Sequence, residues 1–366
     1  MKSKILLITL VLIAIISAFG INYANTENEV RVAFEPTIET IDGKECFFAN
    51  GVSIIIEERD DGEEGAVIKY TWNNENKIIK VSKDISIFGG MHNRDELCTS
   101  IITMNGGTVK NIFGGGLHKS KVKGAYIYIK GGTITSLCGG GAGSFVKDTD
   151  QPNYLDNNTT KENMVNITEE TRIQIWDGTI KSTVFGGGEG ISYTIDADIW
   201  MVDGNLENAY ITAAGANGIT DKALVGLYGG KIGTVQGINR GKVGEVTIST
   251  GDAVIDTLYV GGETSDKNVD ATVEKYYAYL GNGNGYGKVN RLEMGKNGDK
   301  EIEVSMGKET LTYEKGVVKE LGENAKKLFE ERIDIGLCVY HKDDDIWRRL
   351  WRRILSCWNN FERIFK

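Results

Sequence analysis

Ile102-Thr103-Met104-Asn105-Gly106-Gly107-Thr108-Val109, closing on Gly114-Gly115-Gly116, is the stretch that decides the fold. It returns as Ile127-Tyr128-Ile129-Lys130-Gly131-Gly132-Thr133-Ile134, closing on Gly139-Gly140-Gly141. A third copy is Ile173-Gln174-Ile175-Trp176-Asp177-Gly178-Thr179-Ile180, closing on Gly186-Gly187-Gly188. Weaker copies run from Ile199 to Leu206, from Val225 to Ile232 and from Val246 to Gly251. The first turn residue falls at 106, 131, 177, 203, 229 and 250, in steps of 25, 46, 26, 26 and 21 residues. The long step is one period plus a polar insert, at about 145–170. A near-constant step of this size is one turn of a solenoid.

Within each copy, apolar residues sit two and four positions before the turn, the period of a strand with one buried face. The Gly-Gly or Asp-Gly pair supplies the positive φ of a tight corner. A second short strand follows, then the glycine triplet makes another corner. Stacked in register about 4.8 Å apart, such rungs pair every backbone amide with the rung above or below. The alignment predicts one internal ladder of Met104, Ile129, Ile175, Met201, Leu227 and Ile248. The expected fold is therefore all-β, a parallel β-helix with rungs of about 25 residues, spanning 85–275. An antiparallel sandwich of hairpins uses the same turn residues, but the constant period favours the solenoid.

The chain has 366 residues, with 47 glycines and only 2 prolines, a composition of ordered turns rather than of disorder. Net charge is -9. Lys2, Lys4 and a basic tail from Tyr340 onward leave the body more acidic still, which disfavours nucleic-acid binding. Five cysteines without C-x-x-C spacing read as buried small residues rather than as zinc ligands.

Residues 1–25 read as a secretory signal peptide: Lys2 and Lys4 precede the apolar run Ile5 to Phe19, with small residues after it. The expected location is extracellular or at the cell surface, and the expected membrane contact is limited to this segment or the basic tail. Residues 26–84 read as a small N-terminal β cap leading to a first rung at Ile85-Ser86-Ile87-Phe88-Gly89-Gly90. The turn Asp60-Asp61-Gly62-Glu63-Glu64-Gly65 invites calcium, with a solvated hairpin tip as the blander reading. Residues 276–338 read as a C-terminal cap region, with a hairpin over Glu301 to Val317 and a helix over Asn324 to Ile333, giving a short α/β tail.

Several side chains are candidates for chemistry. Asp177 and Asp203 hold equivalent positions on neighbouring rungs, about 5 Å apart, a spacing suited to a glycosidase carboxylate pair or to two calcium oxygens. Asp196 and Asp198 lie upstream on the approaching strand. The competing reading is ordinary Asp-Gly turn chemistry. Tyr128, Trp176, Trp200 and Tyr228 alternate with the inward positions and should face outward, where aromatic rings stack sugars or partner surfaces. His92 and His118, 26 residues apart, each follow a glycine corner but lack a third ligand or a positioned carboxylate in the sequence. No cofactor is indicated beyond the calcium reading.

The phrases Asn105-Gly106-Gly107-Thr108 to Phe113-Gly114-Gly115-Gly116 and Lys130-Gly131-Gly132-Thr133 to Cys138-Gly139-Gly140-Gly141 resemble the repeats of secreted bacterial surface proteins of the parallel β-helix, adhesin-like kind. The resemblance covers about Ile85 to Glu263. It implies a non-enzymatic binding or adhesion protein whose partner is a glycan or a host or neighbouring-cell surface protein, and it carries over no catalytic residue. The alternative is a glycan-active β-helix enzyme, a polysaccharide lyase or glycoside hydrolase, using the central-rung aspartates.

Residues 339–366 resemble nothing upstream: Trp347-Arg348-Arg349 and Trp351-Arg352-Arg353 stand in tandem. Read one base forward, Trp-Arg-Arg with AGG arginines becomes Gly-Gly-Gly preceded by Tyr or Phe, the corner phrase of this protein. A frameshift between residues 338 and 346 is therefore expected, and nucleotide sequencing checks it: these arginines should be AGG, and AGA or CGN codons exclude the shift.

Overall fold

The computed structural model describes residues 32–143, 160–260, 272–280, 288–294 and 301–306, and short strands within 309–318. The expected signal peptide, polar insert (144–159 of it), C-terminal helix and basic tail fall outside these residues. Ala33–Lys366 forms one unit. The described residues form a nearly all-β parallel solenoid of about 6 turns, with rungs near 26 residues.

The opening segment contributes β1 (Thr37–Ile41), β2 (Lys44–Phe48), β3 (Ile54–Glu57), β4 (Gly65–Trp72) and β5 (Glu75–Ser82). Short strands then alternate with long ones. They are β6 (Ser86–Phe88), β7 (Leu97–Met104), β8 (Thr108–Phe113), β9 (Ser120–Ile129) and β10 (Thr133–Cys138). Next come β11 (Asn166–Ile175), β12 (Thr179–Phe185), β13 (Tyr193–Met201), β14 (Asn205–Thr212) and β15 (Ala216–Leu227). The series continues with β16 (Lys231–Gln236), β17 (Arg240–Thr250), β18 (Val254–Val260), β19 (Thr272–Leu280), β20 (Lys288–Met294) and β21 (Glu301–Met306). Three short strands close it: β22 (Glu309–Leu311), β23 (Tyr313–Glu314) and β24 (Val317–Val318).

Even-numbered strands from β2 to β20, β4 excepted, stack in parallel as one sheet; odd-numbered strands from β3 to β21, β5 excepted, stack as the other. The stack thus begins at β2, ahead of Ile85: Phe48 pairs with Phe88 and Ile54 with Ile102. Only β1 and the β4–β5 hairpin run antiparallel at this end. Lys77 and Lys80 stud the outer strand β5, and such charges discourage edge-to-edge pairing. The stack also continues past Tyr276, through β19, β20 and β21.

Alternation places Ile102, Ile127, Ile173, Ile199, Val225 and Ile248 in one fully buried column. The adjacent column is Met104, Ile129, Ile175, Met201, Leu227 and Thr250. Ile248 therefore belongs to the first column and not to the expected ladder, whose place Thr250 takes with 2% exposure. The corner of this rung lies two residues later than Thr250-Gly251 suggests, since Lys231 pairs with Val254. Each buried Ile or Leu contributes roughly 1.5–3 kcal/mol of transfer free energy.

The first glycine of each triplet packs against the next rung's corner and against the facing sheet. A Cβ on Gly139 would lie 2.1 Å from the Gly186 carbonyl oxygen and 2.8 Å from Thr171 Cβ. On Gly114 it would meet Ala125 Cβ at 2.7 Å. The facing column is correspondingly small: Ser100, Ala125, Thr171, Ala197 and Ala223. Gly139→Ala is expected to destabilise the fold by about 3 kcal/mol, the scale of a severe overpacking defect. Gly43→Ala, at φ 72° but with nothing within 4 Å, is expected to cost about 1 kcal/mol. Denaturant melts of the two variants check the contrast.

Candidate binding face

The outward side of the odd-numbered sheet carries the sequence-predicted residues, and the register fixes their neighbours. One outward column runs Tyr126, Arg172, Asp198, Leu224; the next runs Tyr128, Gln174, Trp200, Gly226. Trp176, Val202 and Tyr228 stack at the strand ends through backbone bonds from Val202 N to Ile175 O and from Tyr228 N to Met201 O. Neighbours within a column are about 4.8 Å apart.

Of the four aromatic candidates, Trp200 and Tyr228 come together. Their rings are stacked, 5.8 Å between centroids and 4° from parallel. The contact needs Gly226: a Cβ there would lie 2.9 Å from Trp200 Cε3 and 3.1 Å from Tyr228 Cε2. Trp200 faces outward as expected, yet it is only 8% exposed because it lies flat over this glycine and under Tyr228. Tyr228, Tyr128 and Trp176 are half-buried. Tyr128 stands two rungs from Trp200, with Gln174 between them.

A polar cluster lies beside these rings, one that single-residue scanning of the sequence missed. Tyr126 donates its hydroxyl to Glu170 Oε2 at 3.1 Å, and Arg172 donates to Glu170 Oε1 at 2.7 Å. The Arg172 guanidinium lies 5.9 Å from the Tyr126 ring centroid. The signal was the register: Glu170, Asp196 and Lys222 share a column. Further along, Tyr193 donates to Asp221 Oδ2 at 2.5 Å while Lys161 pairs with the same carboxylate. Burial, then this hydrogen bond, push the Tyr193 phenol far above its usual range.

The aspartates separate into two places. Asp177 and Asp203 are equivalent and exposed, and each carboxylate accepts from its own turn: Gly178 N at 2.6 Å and Gly204 N at 2.8 Å. Asp196 and Asp198 lie on the strand, five or more residues back, and not at the corner that Asp203 occupies. The chain bends between them and the strand start, since Ile195 and Asp196 both face out between the inward Thr194 and Ala197. The four do not form one cluster.

The acidic turn carries its own cations. Arg59 holds Asp61 at 2.7 Å, Lys80 reaches Asp60 at 3.3 Å and Asp61 at 3.0 Å, and Lys83 pairs with Glu64. Hydrogen bonds from Arg59 and then Lys80 hold the Asp61 carboxyl well below the usual range. Among the described residues, no three His, Cys, Asp or Glu side chains gather as a metal set. Cys46, Cys98 and Cys138 are buried free thiols; burial pushes Cys46 to about 11 and Cys98 to about 12. No protein-family model, curated protein or solved structure matches the chain.

If Asp177 and Asp203 serve separate turns, their removal is additive. Asp177→Ala and Asp203→Ala are each expected to cost about 1 kcal/mol or less, by loss of a local hydrogen bond. A double-mutant cycle by chemical denaturation should give a coupling near zero, with or without added calcium.

Proposed function

We propose that this chain is an exported, adhesin-like binding protein whose solenoid presents the outer face of the odd-numbered sheet to a glycan. The observation that carries the reading is the Trp200–Tyr228 stack, a rigid pair of parallel rings held on the outer face by Gly226. Flat aromatic surface beside fixed polar groups suits a sugar, whose C–H faces pack on rings while its hydroxyls bond to side chains. Gln174, Asp198, Glu170 and Arg172 stand in the neighbouring register positions. The export part of the proposal rests on the Lys2, Lys4 and Ile5–Phe19 pattern, and the bacterial surface setting on the glycine-triplet repeats.

Glycan-array screening followed by calorimetry on the best ligand tests the reading. Tyr228→Ala is expected to weaken binding at least tenfold while leaving the melting transition within a few degrees. Trp176→Ala and Tyr128→Ala should have smaller effects. A ligand that is cleaved during the measurement moves the protein to the glycan-active enzyme class. A ligand held equally well by Tyr228→Ala rejects this face.

A further inference from the structure

His92 and His118 meet at a corner, with the two features the sequence did not show them to have. His92 Nδ1–H donates to Glu39 Oε2 at 2.8 Å, so a carboxylate from β1 orients the ring. His92 Nε2 then faces His118 Nδ1 at 3.3 Å and the Asn93 amide nitrogen at 3.1 Å. The side chain of His92 retains 19% exposure, so the cluster opens to solvent.

We propose that His92 Nε2, His118 Nδ1 and the Asn93 amide bind a zinc-class divalent metal ion, with Glu39 as the positioning residue. Zinc–nitrogen bonds of about 2.05 Å at tetrahedral angles put two imidazole nitrogens about 3.3 Å apart, which is the separation found. A histidine that ligates a metal through one nitrogen commonly gives its other N–H to a carboxylate, which fixes the tautomer and raises ligand basicity. Glu39 and His92 have this relation. A half-turn of the Asn93 amide presents its oxygen in place of its nitrogen, and water completes the shell.

The surroundings hold the ligands still. The His92 ring stacks on Phe48, 5.2 Å between centroids and 11° from parallel. Phe48 in turn stacks on Phe88 and Phe88 on Phe113, at 5.0 and 4.6 Å. His118 occupies a left-handed corner position, φ 56°, in line with Asn93 at 52°, Gly190 at 66° and Asn217 at 60°. Strict register pairs His92 with Leu117. The two rings meet because His118 follows Leu117 by one residue and its left-handed backbone turns the side chain back. The two neutral imidazole donors select zinc, cobalt or copper rather than calcium or magnesium.

The full chain, stripped with a chelator, is titrated with Zn²⁺ by calorimetry and with Co²⁺ by visible absorption. One equivalent should bind, with the intense bands of four-coordinate cobalt. His92→Gln and His118→Gln should each weaken binding at least a hundredfold, and His341→Gln should leave it unchanged. Glu39→Gln removes no ligand and should weaken binding 10- to 100-fold, as second-sphere changes do. Metal-free melts of each variant separate lost ligation from lost folding, and Glu39→Gln serves if a histidine variant does not fold. Absence of binding by the unmodified chain, or equal binding by the His92→Gln/His118→Gln double variant, overturns the proposal.

Discussion

The distance between one rung's glycine corner and the next is the constraint on which the other features depend. At Gly139 the space for a side chain is already filled by the Gly186 carbonyl and by Thr171. Backbone must lie on backbone there, so the rungs stack in register and the strands on either side inherit that register. The facing column can hold only Ser, Ala or Thr, as Ser100, Ala125, Thr171 and Ala197 do. Beyond the last glycine triplet the facing positions enlarge, from Ala223 through Val246 to the fully buried Tyr276, whose hydroxyl donates to Tyr259 O at 3.0 Å.

The last glycine of each triplet imposes a polar version of the same rule. Cβ positions on Gly116, Gly141 and Gly188 would lie 2.3, 2.4 and 2.5 Å from Ser120 Oγ, Asn166 Oδ1 and Ser192 Oγ. Ser120, Asn166 and Ser192 form one inward column. Glycine Cα–H groups point at oxygens along it, a weak contact that recurs from rung to rung. Asn166 does more than fill the position. Its amide donates to the carbonyls of Gly116, His118 and Ala142 at 3.0, 2.8 and 3.3 Å, tying two successive corner segments together. The chain therefore regains register at β11 after the long step in the repeat.

The architecture was legible because two periods coincided, two-residue alternation along each strand and about 25 residues between corners. What the period did not carry was misread. Ile248 was placed one column off because Gly251 mimics the corner pair. β2 and β3 were assigned to a cap because no glycine triplet precedes Ile85, although Phe47 and Ile54 already hold inward positions. The stack past Tyr276 was missed for the converse reason: the glycines fade while the pairing persists. At the candidate face, outward placement of Trp200 was readable, but its burial was not, since that depends on Gly226 in the next rung. The convergence of Glu39 on His92 was invisible, because 53 residues separate them and only the antiparallel return of β1 joins them.

A solenoid also restricts where chemistry can sit. Its interior columns are packed with buried side chains, so ligands must be met by outward columns or by the corners themselves. In an outward column, neighbouring side chains start about 4.8 Å apart, a spacing at which aromatic rings stack. That favours platforms such as Trp200 with Tyr228. Ligating nitrogens must approach more closely than the column spacing, and a departure from strict register brings two rings together. The left-handed corner at His118 is such a departure. Extended recognition therefore belongs to the sheet face and close coordination to the corner, both following from one stacking distance.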